Sequence, residues 1–260
     1  LKKVLTLLAL FLPLGLVAQT SKADIEYVSN VFSPATVLLY AQDEHGSLKM
    51  RCTATVIDKT DTGYEAVTAS HCGCEENEDT RTVTPEKTSF YVTSDDDQDK
   101  DFFKAKIVGC GYRHAGDDFL LVTFNTTKNF PVVALGTDPK VMEVVVNVAS
   151  PLGLGKQVFT GSVTSASLNR PVIDGDLNWE HVVTLQMFGT DGGSSGSAVV
   201  CLDQKAACAF IVGSANRSTI TAMPVSRLIN LRKAITTGKY KHWVENPDDA
   251  TPVHKKDSDQ

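Results

Sequence analysis

The chain has no excess of positive charge. With 25 Lys and Arg against 31 Asp and Glu, its formal net charge is −6, which disfavours nucleic-acid partners, since these select a basic face. No glycine-rich phosphate loop follows a strand-like run, so a nucleotide-binding α/β domain is not indicated. Internal repeats are absent as well. Long apolar stretches are scarce, and the one from Val4 to Val17 is broken by Pro13 and Gly15, which is short for a membrane span. Lys2 and Lys3 precede it, and the small residues Ala18 and Ala23 follow it. That order of features is a secretory signal over residues 1–23, with a membrane anchor as the competing reading. No Cys follows the stretch, which argues against a lipoprotein anchor. The expectation is a secreted or periplasmic protein without stable membrane association.

The remaining composition, 42% hydrophobic residues over 260 positions, suits one large or two small globular domains. Six cysteines are present: Cys52, Cys72, Cys74, Cys110, Cys201 and Cys208. In an exported chain they are expected to be paired, and sequence alone allows about fifteen pairings. Cys201 and Cys208 close a short loop between "SAVVC" and "CAFIVG", which suits a hairpin staple.

Short apolar and β-branched runs recur with polar turns between them. They include "ATVLLYA", "CTATVI", "YEAVTAS", "TSFYVTS", "KAKIVGC" and "FLLVTF", then "PVVAL", "VMEVVVNVAS", "QVFTGSVTSA", "HVVTLQMF", "SAVVC", "AFIVGSA" and "STITAMPV". This spacing indicates an all-β sandwich or barrels in place of βαβ units. The segment 125–140, with two prolines and a polar start, divides the runs into two similar sets. One helix is expected near the end. Pro224 opens it, Val225, Leu228, Ile229, Leu231 and Ile235 recur at helical spacing, and Gly238 stops it.

Three stretches carry chemistry. "VTASHCGC" runs an apolar strand into His71, "GDDFLLVTF" sets an acid before a strand, and "GTDGGSSGSAVV" puts Ser195 in a glycine-rich turn that leads into another strand. Nucleophilic catalysis needs a base beside the serine and a carboxylate that fixes the tautomer of the base. An α/β-hydrolase needs the order Ser, Asp, His and alternating strands and helices. Neither is present.

In "TASHC", "DDFLLV", "GSSGSA" and Cys52 the chain resembles the chymotrypsin-like (trypsin-fold) serine peptidases over about residues 30–236. The closing "GSANRSTITAMPVSRL" is most similar to the bacterial Deg/HtrA-like and related bacterial or viral branch. The resemblance implies two six-stranded antiparallel β-barrels, over 24–130 and 131–238, the second ending in the helix; the residues after it, 239–260, read from their composition as a polar tail. It implies Ser195 as nucleophile, His71 as base and then acid, and Asp118 as orienting carboxylate. Asp117 competes for the last role, but choosing it would put charged Asp118 where the family has an apolar side chain, at the cost of a buried unpaired charge. Asp117 is then a solvated loop residue. The backbone N–H groups of Gly193 and Ser195 would form the oxyanion hole.

The same resemblance implies a Cys52–Cys72 bridge, and the expected set of pairs is 52–72, 74–110 and 201–208. It places Gly189 at the floor of the primary specificity pocket, Thr190 beside it as a hydrogen-bond donor, and Val212, Gly213, Ser214 and Ala215 on the wall. Asp191 should point away. Cleavage after an uncharged residue of a protein or peptide substrate is therefore expected, with no cofactor and no metal. Zinc held by "HCGC", Cys110 and His114, or calcium held by the acidic run 95–101, are the competing metal readings.

Departures from the family pattern are also visible. Ser194 stands where trypsin-like enzymes usually have Asp, and Ser197 and Ala198 stand where they have Gly-Pro. No "IVGG"-like segment occurs, so activation by a new N-terminus is not expected. No residues remain for a C-terminal peptide-binding domain of the Deg kind. The rival function is a catalytically inactive trypsin-fold binding protein.

Overall fold

The computed structural model describes residues 21–94, 101–171, 178–216 and 218–245. Most of the expected signal, the acidic run from Asp95 and the end of the polar tail lie outside these residues.

The recurring apolar runs become two closed antiparallel barrels of six strands. The first barrel closes in the order β1 (Thr36–Gln42), β2 (Leu48–Lys59), β3 (Gly63–Thr68), β8 (Leu120–Asn125), β7 (Phe103–Cys110) and β6 (Phe90–Thr93). A two-stranded ribbon, β4 (Cys74–Asn77) with β5 (Thr82–Pro85), projects between β3 and β6. The second barrel closes in the order β10 (Gln157–Pro171), β11 (Asn178–Met187), β14 (Thr219–Pro224), β13 (Ala206–Asn216), β12 (Ala198–Cys201) and β9 (Val144–Ala149). Closure leaves no long unpaired strand edge in either barrel.

The "PVVAL" run is an exception to the strand expectation. It forms no strand and serves as the crossing between the barrels, with an isolated bridge from Leu135 to Ala207. Pro131 has no N–H for a ladder, and the segment instead docks singly, with Val133 buried and its N–H on the Val56 carbonyl at 3.0 Å.

The barrels meet along β2. Its residues Cys52 to Ile57 are buried without alternation, because one face fills the first barrel and the other lies under the second. Here threonine serves as both β-former and polar link. Thr55 Oγ1 accepts from the Ala198 N–H at 3.1 Å, and Thr53 Oγ1 donates to the Gly193 carbonyl at 2.8 Å. One continuous core therefore joins Val56 and Phe119 of the first half to Val146, Phe210 and Met223 of the second. The second barrel keeps its own interior around Val163, Leu185, Met187 and Ile220.

Helix α3 (Val225–Thr236) starts after Pro224 and buries Val225, Leu228 and Leu231. The sequence did not suggest the helical stretch at the N-terminus: α1 (Lys22–Tyr27), a π turn over Val28–Phe32, and α2 (Ser33–Ala35). It opens with a capping box, in which Ser21 and Asp24 bond each other's backbone N–H. Disulfides join Cys52 to Cys72, Cys74 to Cys110 and Cys201 to Cys208. With every described cysteine so paired, none is left as a zinc thiolate.

Candidate active site

His71 sits in a tight 3₁₀ turn, Ser70–Cys72, where β3 leaves the first barrel. The turn is held from below by the Cys52–Cys72 bridge and by the Ser70 hydroxyl, which donates to the Gly111 carbonyl at 2.7 Å. Asp118 lies just ahead of β8 and is fully buried. Its carboxylate faces His71 twice. Oδ2 lies 2.8 Å from the ring Nδ1, and Oδ1 accepts the His71 backbone N–H at 3.0 Å. Two bonds to one residue fix both the position and the rotation of the imidazole. They also require the proton on Nδ1, which leaves Nε2 as the acceptor.

Burial pulls the His71 pKa down, but the Asp118 charge and hydrogen bond outweigh it and hold the imidazole above its ordinary value. For Asp118, burial pushes up, yet the His71 charge and hydrogen bonds keep the carboxyl below the usual range. Arg113 adds positive charge, with Nε 4.0 Å from Asp118 Oδ2. Nothing in the sequence flagged Arg113, which follows β7 on a loop with no motif of its own.

Asp117 takes a different environment. Expected as a solvated loop residue, it instead has a side chain about 20% exposed and ion-paired with Arg227 at 3.6 Å. It also accepts from the Tyr240 hydroxyl at 2.9 Å. Its carboxyl is pushed up by burial and is partly restrained by Tyr240 and Arg227.

The serine turn is shaped by two close approaches. Gly196 has φ +80°, and a Cβ there would lie 2.0 Å from Thr68 Oγ1 and 2.4 Å from the Ala69 nitrogen. Glycine thus lets the turn press against the strand end that carries His71. At Gly193, φ is +92° and a Cβ would meet the Ser150 carbonyl at 2.8 Å. The turn's own groups hold it together. Ser194 N–H donates to the Asp191 carbonyl at 2.9 Å, and Gly196 N–H to the Ile211 carbonyl at 2.7 Å. The buried Ser197 hydroxyl donates to the Ser194 carbonyl at 2.6 Å and accepts from Asn147 Nδ2 at 2.8 Å. Ser194 and Ser197, two of the three residues that depart from the family pattern here, are therefore built into the turn.

Between these used donors, the N–H groups of Gly193 and Ser195 have no protein acceptor among the described residues. The Ser195 hydroxyl likewise has no protein partner among them.

Beside Ser195 opens a cavity of about 180 Å³, lined by Thr190, Asp191, Gly192, Ser194, Ser195, Ile211, Gly213 and Ser214. The Thr190 hydroxyl is buried there without a hydrogen-bond partner among the described residues. Three details differ from the expected pocket, the first being that Val212 is packed in the core that joins the barrels and does not line the cavity. Gly189 does not line the cavity, because it packs on the Phe159 ring, where a Cβ would meet Cε1 at 2.7 Å. Asp191 does line it, with Oδ1 accepting the Gly192 N–H at 2.8 Å. The Ala215 side chain lies outside the described residues. A larger groove, about 610 Å³, lies behind Asp117 among Asp138, Arg227 and Tyr240; neither His71 nor Ser195 lines it.

In sequence, residues 52–209 match the trypsin-like peptidase domain. The chain belongs to the trypsin-like peptidase family. It is a chymotrypsin-like serine peptidase, a hydrolase of peptide or protein substrates. No curated protein matches this peptidase. Among solved structures, its fold is similar to that of the Rv3671c protease of M. tuberculosis. The active form aligns at 18% identity and TM-score 0.60, covering 80% of the peptidase and 83% of that chain. The inactive form aligns at 18% identity and TM-score 0.59, covering 80% and 92%. A serine-to-alanine mutant of the same protease aligns at 16% identity and TM-score 0.59, covering 81% and 90%.

Proposed function

We propose that this peptidase is an exported endopeptidase that cleaves through an acyl-enzyme, with Ser195 as nucleophile, His71 as general base and acid, and Asp118 as the orienting carboxylate. The observation that carries the reading is the doubly bonded, buried Asp118 beneath His71. Ser195 Oγ attacks the scissile carbonyl and gives its proton to His71 Nε2. Asp118 stabilises the imidazolium and keeps the Nδ1 proton in place. The tetrahedral oxyanion is met by the N–H groups of Gly193 and Ser195, which have no protein acceptor among the described residues to compete for them. Collapse expels the amine, protonated by His71, and water then repeats the cycle on the acyl-enzyme. The hydroxyl and imidazole tighten onto each other when substrate fills the site.

Export is supported by the signal-like residues 1–23 and by the three disulfides. No helix among the described residues is long and apolar enough to cross a membrane. Cleavage after Ala18 would keep the Ser21 cap of α1, whereas cleavage after Ala23 would remove it.

The working form of His71 is neutral. Because its folded pKa lies above the ordinary histidine value, protonation should switch the enzyme off at a higher pH than for a free imidazole. The acidic limb of kcat/KM is expected to lie above pH ~6.5. A limb at or below that value would mean that Asp118 does not act on the ring.

Specificity follows from the cavity. An engineered cavity of about 150 Å³ holds a benzene, so this pocket suits a medium side chain more than an extended Arg. An apolar occupant would leave the Thr190 hydroxyl without a partner, as it is among the described residues, and would forgo a hydrogen bond worth about 0.5–1.5 kcal/mol. A neutral hydrogen-bonding side chain, such as Gln, satisfies it. A peptide library read by mass spectrometry should show cleavage after uncharged residues, with polar ones of medium size foremost. Dominant cleavage after Lys or Arg would instead assign the pocket to Asp191.

A further inference from the structure

Beyond α3, the sequence reads as the start of a polar tail, but residues 239–245 turn back onto the first barrel. Val83 N–H donates to the His242 carbonyl at 2.8 Å and Val244 N–H to the Val83 carbonyl at 3.1 Å. Trp243 thereby forms a parallel bridge beside β5. The His242 ring stacks on Tyr112 with centroids 4.9 Å apart, and its Nδ1 lies 2.6 Å from the Arg81 carbonyl.

At the centre of this strap is the Tyr240 hydroxyl. It accepts from the Tyr112 backbone N–H at 2.9 Å and donates to Asp117 Oδ2 at 2.9 Å. Tyr112 and Asp117 are the two ends of the loop that delivers Asp118. Other contacts also hold the loop: the Asp117 N–H donates to the Tyr112 carbonyl at 3.2 Å, and the Gly111 N–H to the Phe119 carbonyl at 2.7 Å. Glu76 accepts from the Arg113 N–H, and Arg227 Nη1 donates to the Gly116 carbonyl at 2.8 Å. Tyr240 adds a side chain that bonds both ends, Tyr112 and Asp117, through one hydroxyl.

We propose that Tyr240 is a positioning residue for the triad, acting through Tyr112 and Asp117 to keep the Asp118 carboxylate against both the ring and the backbone N–H of His71. The proposal rests on the reading of Asp118 as the orienting carboxylate. Asp118 itself has little room for error, since a small shift of its loop lengthens both bonds to His71. A misplacement of about 1 Å can cost on the order of a hundredfold in rate. The strap lies outside the stretch matched to the family domain, which ends at residue 209.

Tyr240→Phe removes one oxygen and leaves the ring in place. Expected are a fall in kcat of about tenfold, a KM within about twofold, and an acidic limb moved to lower pH. The direction follows from His71, whose raised pKa depends on Asp118. The other charges that bear on it, Arg113 and Glu76, remain in the variant. His242→Ala is the comparison: it removes the stack on Tyr112 but keeps the hydroxyl. It should lower the melting temperature while leaving kcat and the limb unchanged. An unmoved limb in Tyr240→Phe, or the same kinetics in both variants, overturns the proposal. Ser195→Ala, assayed alongside, separates the two levels. If it retains activity, the triad reading fails, whatever Tyr240→Phe does.

Discussion

Ser195→Ala will abolish peptide hydrolysis, with a loss in turnover of roughly six orders of magnitude, while the protein stays folded. The hydroxyl has no protein partner among the described residues, so its removal leaves no donor or acceptor stranded. The turn around it is held by other groups: Ser194 and Gly196 through their N–H, Ser197 through its hydroxyl. None of these bonds passes through Ser195 Oγ. Thermal unfolding should therefore match the parent protein closely, and what disappears is the proposed nucleophile. His71→Ala should lose a similar amount, because nucleophile and base act as a unit and the losses do not add.

Asp118→Asn is expected to lower kcat by about four orders of magnitude. The amide has the size of the carboxylate and can still accept the His71 backbone N–H through its oxygen. Its NH₂ then faces the ring and donates to Nδ1, which drives the imidazole proton onto Nε2. That tautomer cannot accept from the serine. The loss should fall on kcat with little change in KM, since Asp118 is buried beneath His71 and does not line the specificity cavity. Kinetics on a chromogenic peptide, with circular dichroism as the fold control, measure both terms. Near-parent kcat in Asp118→Asn would return the orienting role to Asp117.

The strands and the final helix were legible because each reflects a local period or a local breaker. Pro224 and Gly238 bracket α3, and β-branched runs end at polar turns. His71, Asp118 and Ser195 were legible as candidates for a related reason, since His71 follows a strand-like run and the other two each precede one. The two barrels themselves came from the family resemblance, because short apolar runs suit a sandwich equally well.

What the sequence did not disclose lies in contacts between distant segments. Tyr240 reaches Tyr112 across 128 positions and Asp117 across 123, within a segment whose composition reads as solvated. Asn147 looks like a polar interruption in "VVVNVAS", yet it is fully buried because Ser197 and the Ala198 carbonyl satisfy its amide nitrogen. Gly189 was misplaced for a similar reason: counting back from the serine gives sequence distance, while the Phe159 ring decides which glycine faces the cavity. "PVVAL" had the apolarity of a strand without a neighbour to pair with along its length.

The central claim is that Ser195 is an activated nucleophile, and a fluorophosphonate probe tests it most directly. Such a probe phosphonylates a serine that a neighbouring base activates and an oxyanion site supports. The intact peptidase should be labelled at one residue, located to Ser195 by mass spectrometry of the digest, with labelling lost in His71→Ala. A folded, disulfide-bonded protein that takes no label, or takes it on another serine, would contradict this account and favour a binding protein built on the same fold.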